Sequence, residues 1–313
     1  MKRFKILFAA LCLTLCGCSV GNPAEQPADT APVTTVTEAL PEETAAYTDY
    51  SSLSECIYYD EDMFHVYTSG AGEYKTEQEI LCGVAPHHLT AGHMIAGLYE
   101  TAAESRENTD TVVIVAPLHY MEKGTTCTSY NGWGTAFGAL ECDKELSQIF
   151  ADRLGADDNP DLMEFDHAIS SHIPFIKYFF PESQVACLLV SPDEKGDFPQ
   201  KLSDTLYEMS EMKDCLFIFS IDFSHYLSPE EAEENDAETL EAVLSGDTAA
   251  IESFRNDNVD TPYGLSTYVR LSEKLGGEII CADNSHTQKI VGTPYSEISY
   301  PEGVTSYFVF VTG

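Results

Sequence analysis

Six apolar runs of strand length alternate with six amphipathic helical patterns, and this alternation constrains the fold of the 313-residue chain more than any other feature. The runs lie at 79–85, 111–116, 184–190, 215–221, 278–281 and 306–311. The helical patterns lie at 91–105, 143–154, 171–179, 198–212, 229–244 and 262–275. Strands that are almost continuously apolar are those covered on both faces. The order therefore predicts one α/β domain over residues 51–313, a single αβα sandwich around a mostly parallel or mixed central sheet. The pattern at 229–244 has the plainest helix start. Pro229 fits a first turn, and Glu230 and Glu231 face the positive end of the helix dipole.

The first eighteen residues read as an address. Lys2, Arg3 and Lys5 precede an apolar stretch at 6–15 that is too short to span a bilayer. Leu15-Cys16-Gly17-Cys18 resembles a bacterial lipobox, whose second cysteine becomes the lipidated N-terminus. The expectation is a lipoprotein signal peptide at 1–18, with Cys18 lipidated and the protein extracytoplasmic. The lipid is then the only attachment to the membrane, because no later segment reaches about 18 uninterrupted apolar residues. Residues 19–50 are rich in Pro, Thr, Ala and Glu and hold no Lys or Arg. Such a segment buries too little surface to offset its chain entropy, so a disordered stalk is expected.

The net charge is −36, from 52 acids against 16 bases. Six of those acids fall in the stalk and three of the bases in the leader, which leaves 46 acids against 13 bases in the body, a net of −33. A surface this negative repels phosphate backbones and excludes nucleic acid as a partner, while it favours cations. Seven cysteines remain beyond Cys18, none in a CxxC pair. An odd count at irregular spacing is not a disulfide framework.

Four of the nine histidines stand at strand ends. One run ends Ala85-Pro86-His87-His88, another Ala116-Pro117-Leu118-His119, and a third Ile221-Asp222-Phe223-Ser224-His225-Tyr226. In open α/β sheets ligands bind beyond the carboxyl ends of strands, so three strands deliver an imidazole to one edge. Three imidazoles, or two with a carboxylate, make an open catalytic metal site. His88 adjoins His87 and should face the other way, and His93 falls in a first helical turn. A fourth cluster, Asp166-His167-Ala168-Ile169-Ser170-Ser171-His172, stands at a helix start.

These residues carry a resemblance. Pro86-His87 with Gly92, the run from Val112 to His119, Gly134-Thr135-Ala136-Phe137-Gly138, Asp166-His167-Ala168-Ile169 with His172-Ile173-Pro174-Phe175, and Ser220-Ile221-Asp222-Phe223-Ser224-His225-Tyr226 resemble the Memo family. Bacterial members are called AmmeMemoRadiSam system protein B, and the family is related in fold to the class III extradiol dioxygenases, which use non-haem iron. The resemblance covers roughly residues 79–311. It implies metal histidines at His87 and His119, an acid/base histidine at His225 with Asp222 beside it, and a substrate-side histidine at His172. The family's Cys-Gly pair, whose thiolate joins the metal, falls on Tyr263-Gly264. A tyrosine replaces a soft thiolate poorly except towards ferric iron. The third ligand therefore stays open among His225, Asp222, Tyr263 and water.

The implied cofactor is a divalent metal, with iron favoured, copper and zinc as alternatives, and loss of the metal as a further one. The implied function is a non-haem-iron redox enzyme, dioxygenase-like, acting on a small molecule. Its alternatives are a lipoprotein that binds metal or ligand without catalysis, and a family member that has lost its site. The family's name also implies a functional link to a radical SAM protein. Few cations stand near the motif loops (Lys75, Lys123, Lys177, Arg255, Arg270 and Lys289), so a strongly anionic substrate is not expected. One arginine is nevertheless enough for a carboxylate.

Overall fold

Two opposed apolar faces on each central strand set the architecture seen in the computed structural model, which describes residues 53–120, 124–291 and 303–313. The signal peptide, Cys18 and the stalk at 19–50 lie outside the described residues. In chain order the elements begin β1 (Leu53–Glu55), α1 (Glu61–Ser69), β2 (Cys82–Ala85), α2 (Gly92–Ser105), β3 (Thr111–Pro117), β4 (Cys127–Thr128), β5 (Gly132–Thr135) and β6 (Gly138–Leu140). Then come α3 (Lys144–Leu154), β7 (Asp157–Asp158), α4 (Pro160–Phe165), α5 (His167–Ser170), α6 (Ile173–Phe179), β8 (Gln184–Val190), α7 (Phe198–Ser210) and β9 (Cys215–Ser220). The chain closes with β10 (His225–Leu227), α8 (Pro229–Ser245), α9 (Thr248–Ser253), α10 (Pro262–Leu275), β11 (Ile279–His286), α11 (Thr287–Val291) and β12 (Val304–Thr312).

The centre of the main sheet is parallel, in the order β2, β9, β3, β8. Antiparallel strands flank it: β12 and then β11 beyond β2, and β4 beyond β8. The sheet is thus mixed, with helices on both sides, as the alternation predicts. Side-chain parity sorts the core. Val112, Ile114 and Ala116 of β3 join one cluster with Met94, Ile95 and Leu98 of α2 and Phe175 and Ile176 of α6. Val113 and Val115 join the opposite cluster with Leu146 and Phe150 of α3, Leu202 and Leu206 of α7 and Leu265 and Leu271 of α10. Full burial of such a side chain contributes about 1.5–3 kcal/mol, so each strand is held from above and below. No helix among the described residues is long and apolar enough to cross a membrane.

The structure departs from the sequence-based expectation in several places. A small sheet of β1, β5 and β6 packs apart from the main one, built from strands of three or four residues that leave no periodic signal. The strand expected at 278–281 continues to His286 through Asp283 and Asn284. It lies at the sheet edge, where polar residues face solvent. The helix expected at 171–179 starts at Ile173, with Pro174 in its first turn.

The chain after β9 takes an unusual course. It crosses the carboxyl end of β2 and pairs with β12, where Phe223 N–H donates to Ser306 O (3.0 Å) and Ser306 N–H to Ser224 O (2.9 Å). A bulge separates His225 from Leu227 in the pairing of β10 with β12. The space above Ala85 is thus roofed by 221–225.

Asp143 ties the second face together. It caps α3 by accepting from Leu146 N–H (3.1 Å), and it also accepts from Thr111 Oγ1 (2.6 Å) and Lys213 Nζ (2.8 Å). Burial pushes its carboxyl up, but the Lys213 and Thr111 hydrogen bonds and the cap outweigh this and hold it below the usual range. A depressed carboxyl stabilises the fold above its unfolded-state value and stops doing so as pH falls through the folded one. Asp143→Ala is expected to lower stability by about 2 kcal/mol at neutral pH, a lost cap plus an orphaned buried hydroxyl. The gap between variant and parent should narrow in acid, as read by urea unfolding at the two pH values.

Candidate metal centre

Pro86 ends β2 and His87 follows it into the roofed space, 2% exposed. Its Nδ1 lies 3.1 Å from Ser220 Oγ, at the end of the neighbouring strand. The Ser220 hydroxyl spends its one hydrogen on Ala168 O (2.7 Å) and therefore accepts from His87 Nδ1–H. That fixes the tautomer and leaves a lone pair on Nε2. This atom is 3.4 Å from Asp260 Oδ2 and 3.5 Å from Asp222 Oδ2.

His119 follows β3 and is oriented by Asp166. The fully buried carboxylate accepts from the His119 backbone N–H (2.8 Å), lies 3.1 Å from its Nδ1, and caps α5 through Ala168 N–H (3.0 Å). A carboxylate on Nδ1–H leaves Nε2 free, the arrangement common behind metal-bound imidazoles. His167, the first residue of α5, has Nδ1 3.2 Å from the Tyr120 hydroxyl. Its ring centroid is 4.5 Å from that of His119 and 5.0 Å from that of His87. One ligand atom from each of the three lies within 4.8 Å of the other two. Three nitrogens bound tetrahedrally at about 2.1 Å stand about 3.4 Å apart, so a small contraction closes the set.

Charge favours a cation here. Burial, together with the neighbouring imidazoles, holds His87 well below its ordinary pKa despite the Asp222 charge. Burial and His119 lower His167 to about 4. These imidazoles are neutral at neutral pH, the form that binds metal. A bare Nε2 lone pair facing two carboxylate oxygens is repulsive unless a cation sits between them. Burial and the Asp222 charge also push the Asp260 carboxyl well up. The donor set therefore fits a divalent metal.

Residues 59–303, more than half of the chain, match the family model described as Memo-like protein. The chain belongs to the Memo family. A Methanosarcina mazei protein described as a MEMO1 family protein is 29% identical over 216 residues, covering 64% of this chain and 76% of its own length. The Thermoplasma acidophilum MEMO1 family protein Ta0237 is 25% identical over 229 residues, covering 70% and 82%. Among solved structures, the uncharacterized Escherichia coli K12 protein JW3007 matches with a TM-score of 0.50 and 11% identity over 75% of this chain and 100% of its own, a likeness of fold.

In this Memo-family chain the structure groups His87 and His119 with His167. His225, read from the sequence as a third metal histidine, stands outside that group. It lines a cavity of about 440 Å³ beside His119, together with Asp260 and Tyr263. Asp222 is fully buried beneath the histidines: its Oδ1 accepts from His87 N–H (3.1 Å) and its Oδ2 lies 2.9 Å from His88 Nδ1. Burial lowers His88, but the Asp222 charge and hydrogen bond outweigh it and leave its pKa raised. His172 is also fully buried, its Nδ1 3.0 Å from the Tyr99 hydroxyl of α2, and burial lowers it to about 4. It does not line the cavity. Sequence reasoning passed over His167, although its cluster was visible, and missed Asp260 altogether. Asp260 is carried in by Val259, which bridges Phe223, and by Asp260 N–H donating to Asp222 O (3.1 Å).

Proposed function

We propose that this Memo-family protein is a metal-dependent redox protein of the cell surface, with non-haem iron favoured at His87, His119 and His167. The observation that carries the reading is the trio of imidazoles, buried at His87 and open at His119 to a cavity large enough for a small organic molecule. Iron held there by His87, His119 and His167 would supply oxygen-dependent redox chemistry. The chain's own groups complete the site. Ser220 and Asp166 fix two rings with their Nε2 atoms inward. Burial keeps the His225 imidazole neutral, and from the cavity wall it takes a proton from a substrate hydroxyl. Asp222 holds the His87 backbone in place.

Loading the purified protein with iron, copper or zinc, followed by desalting and metal analysis, tests the reading. Stoichiometric retention is expected, and no retention of any of the three overturns it. Turnover of catechol-like compounds in air by the iron form then separates catalysis from binding alone.

Residues 1–18 support attachment by lipid at Cys18, which places the centre outside the cytoplasm. Cells grown with labelled palmitate should label the parent chain and leave Cys18→Ala unlabelled. Label that persists in the variant removes the anchor from the proposal.

A further inference from the structure

We propose that the molecule taken up beside this centre carries a carboxylate, held by Arg255 and Lys195, on an apolar body. The inference rests on the proposed function for the meaning of the cavity but not for its charge.

Cations are scarce in this body, and half of those among the described residues are neutralised by carboxylates. Arg106, Arg153, Lys213, Arg270, Lys274 and Lys289 all form ion pairs. Arg255 and Lys195 form no ion pair or side-chain hydrogen bond among the described residues, and both line the cavity that holds His119 and His225. The acids of the same wall are engaged elsewhere. Glu252 accepts from Ser266 Oγ (2.6 Å) and Arg270 Nη2 (2.9 Å), Glu194 from the Thr126 hydroxyl, and Asp260 from Asp222 N–H (3.1 Å). Of the charged side chains that line the cavity, Arg255 and Lys195 are thus the cations that no described carboxylate pairs, in a body of net −33.

The two cations come from different segments of the chain. Lys195 follows β8. Arg255 follows α9 on a turn fixed by Asn258 N–H and Val259 N–H donating to Arg255 O (2.8 and 2.9 Å), and Val259 is bridged to Phe223. The loop that supplies Asp260 thus also carries Arg255. A guanidinium fork matches a carboxylate in two parallel bonds, and an ammonium opposite adds a point charge.

The apolar share of the lining includes Leu118, Val190, Phe254, Tyr226 and Tyr263. Tyr226 is the one non-glycine residue with positive φ (60°) among those described, and it is 69% exposed. The β10 bulge imposes this, and Gly303 permits it, since a Cβ there would meet Tyr226 C at 2.5 Å. A left-handed tyrosine costs on the order of 1–2 kcal/mol. The bulge thus sets an exposed ring in the cavity lining, where it can contact the ligand's apolar body.

The test compares benzoate with benzamide, its neutral isostere, by titration of the full-length protein followed by NMR, with metal and after chelation. Benzoate is expected to bind about tenfold more tightly than benzamide, the worth of a charge-assisted pair. The preference should vanish in the Arg255→Gln, Lys195→Gln double variant and survive in part in Arg255→Lys. Equal binding of the two probes, or a preference that the double variant keeps, overturns the proposal. Phenyl phosphate bound more tightly than benzoate, with the same dependence on Arg255, overturns the assignment to carboxylate. Both side chains are exposed, so folding is not at risk. The preference is read with and without metal. A protein that fails to hold metal overturns the proposed function, while its choice between benzoate and benzamide still decides the role of Arg255.

Discussion

Replacing His87 or His119 with alanine is expected to strip the protein of its metal. Each change removes one of three nitrogens that lie within 4.8 Å of each other. The remaining two leave the set one donor short. Loss of an orienting partner behind a ligand typically weakens binding about ten- to hundredfold, so loss of the ligand itself should exceed about a hundredfold. Ser220→Ala provides the graded control. It frees the His87 ring to rotate or change tautomer while leaving the nitrogen present, and should fall in the ten- to hundredfold range. His225→Ala is the contrasting control, because His225 stands on the cavity wall outside the trio. Its metal content should match the parent's. Metal retained in His87→Ala, or lost equally in His225→Ala, would falsify the assignment of the trio.

Removing the Asp222 carboxylate should cost the fold about 2–3 kcal/mol, even though the residue touches no solvent and fills little volume. The side chain accepts from His87 N–H (3.1 Å), which no other acceptor replaces in Asp222→Ala, and an orphaned buried donor costs about 1–3 kcal/mol. It also neutralises His88, whose side chain is 40% exposed, so that share is discounted for solvent screening. The sign with pH follows from the groups themselves. Burial pushes the carboxyl up, but the His87 and His88 charges and the His88 hydrogen bond outweigh it and hold the group well below its ordinary value. Its contribution is therefore present above the unfolded-state value and fades as pH falls through the folded one. Asp222→Asn keeps a carbonyl oxygen for His87 N–H and should cost less than Asp222→Ala. Urea unfolding of the metal-free forms would show this order, and equal stability of parent and Asp222→Ala would remove Asp222 as the support of the site.

The central sheet was legible because its signal is local. Runs such as 111–116 and 184–190 are apolar on both faces, and the structure buries β3 and β8 between two helical layers. His87 and His119 were legible for the same reason: each stands where an apolar run stops. His167 was harder, because what brings it to the others is the Asp166 carboxylate that both caps α5 and orients His119. Asp260 left no trace in the sequence. Its place depends on an antiparallel bridge between Phe223 and Val259, a contact between two irregular segments with no period of their own. The placement of His225 follows from the course of the chain over β2, which the strand count alone does not reveal. The short strands β1, β4, β5, β6 and β7 fall below the length at which alternation can be read.

The trio has a consequence for the order in which the protein is made. His87, His119 and His167 leave three different connections of the sheet, and Ser220, which aims one of them, ends a fourth strand. No partial product of synthesis therefore owns the site: the chain must be complete past Ser220 and folded before any ion finds three donors. Loading is then the last event of maturation, and the ion acts as a lock on the finished form, adding about 2.7 kcal/mol when free metal stands a hundredfold above its dissociation constant. On the export proposed from residues 1–18, the chain crosses the membrane without metal, and what is available at the destination decides which ion it takes.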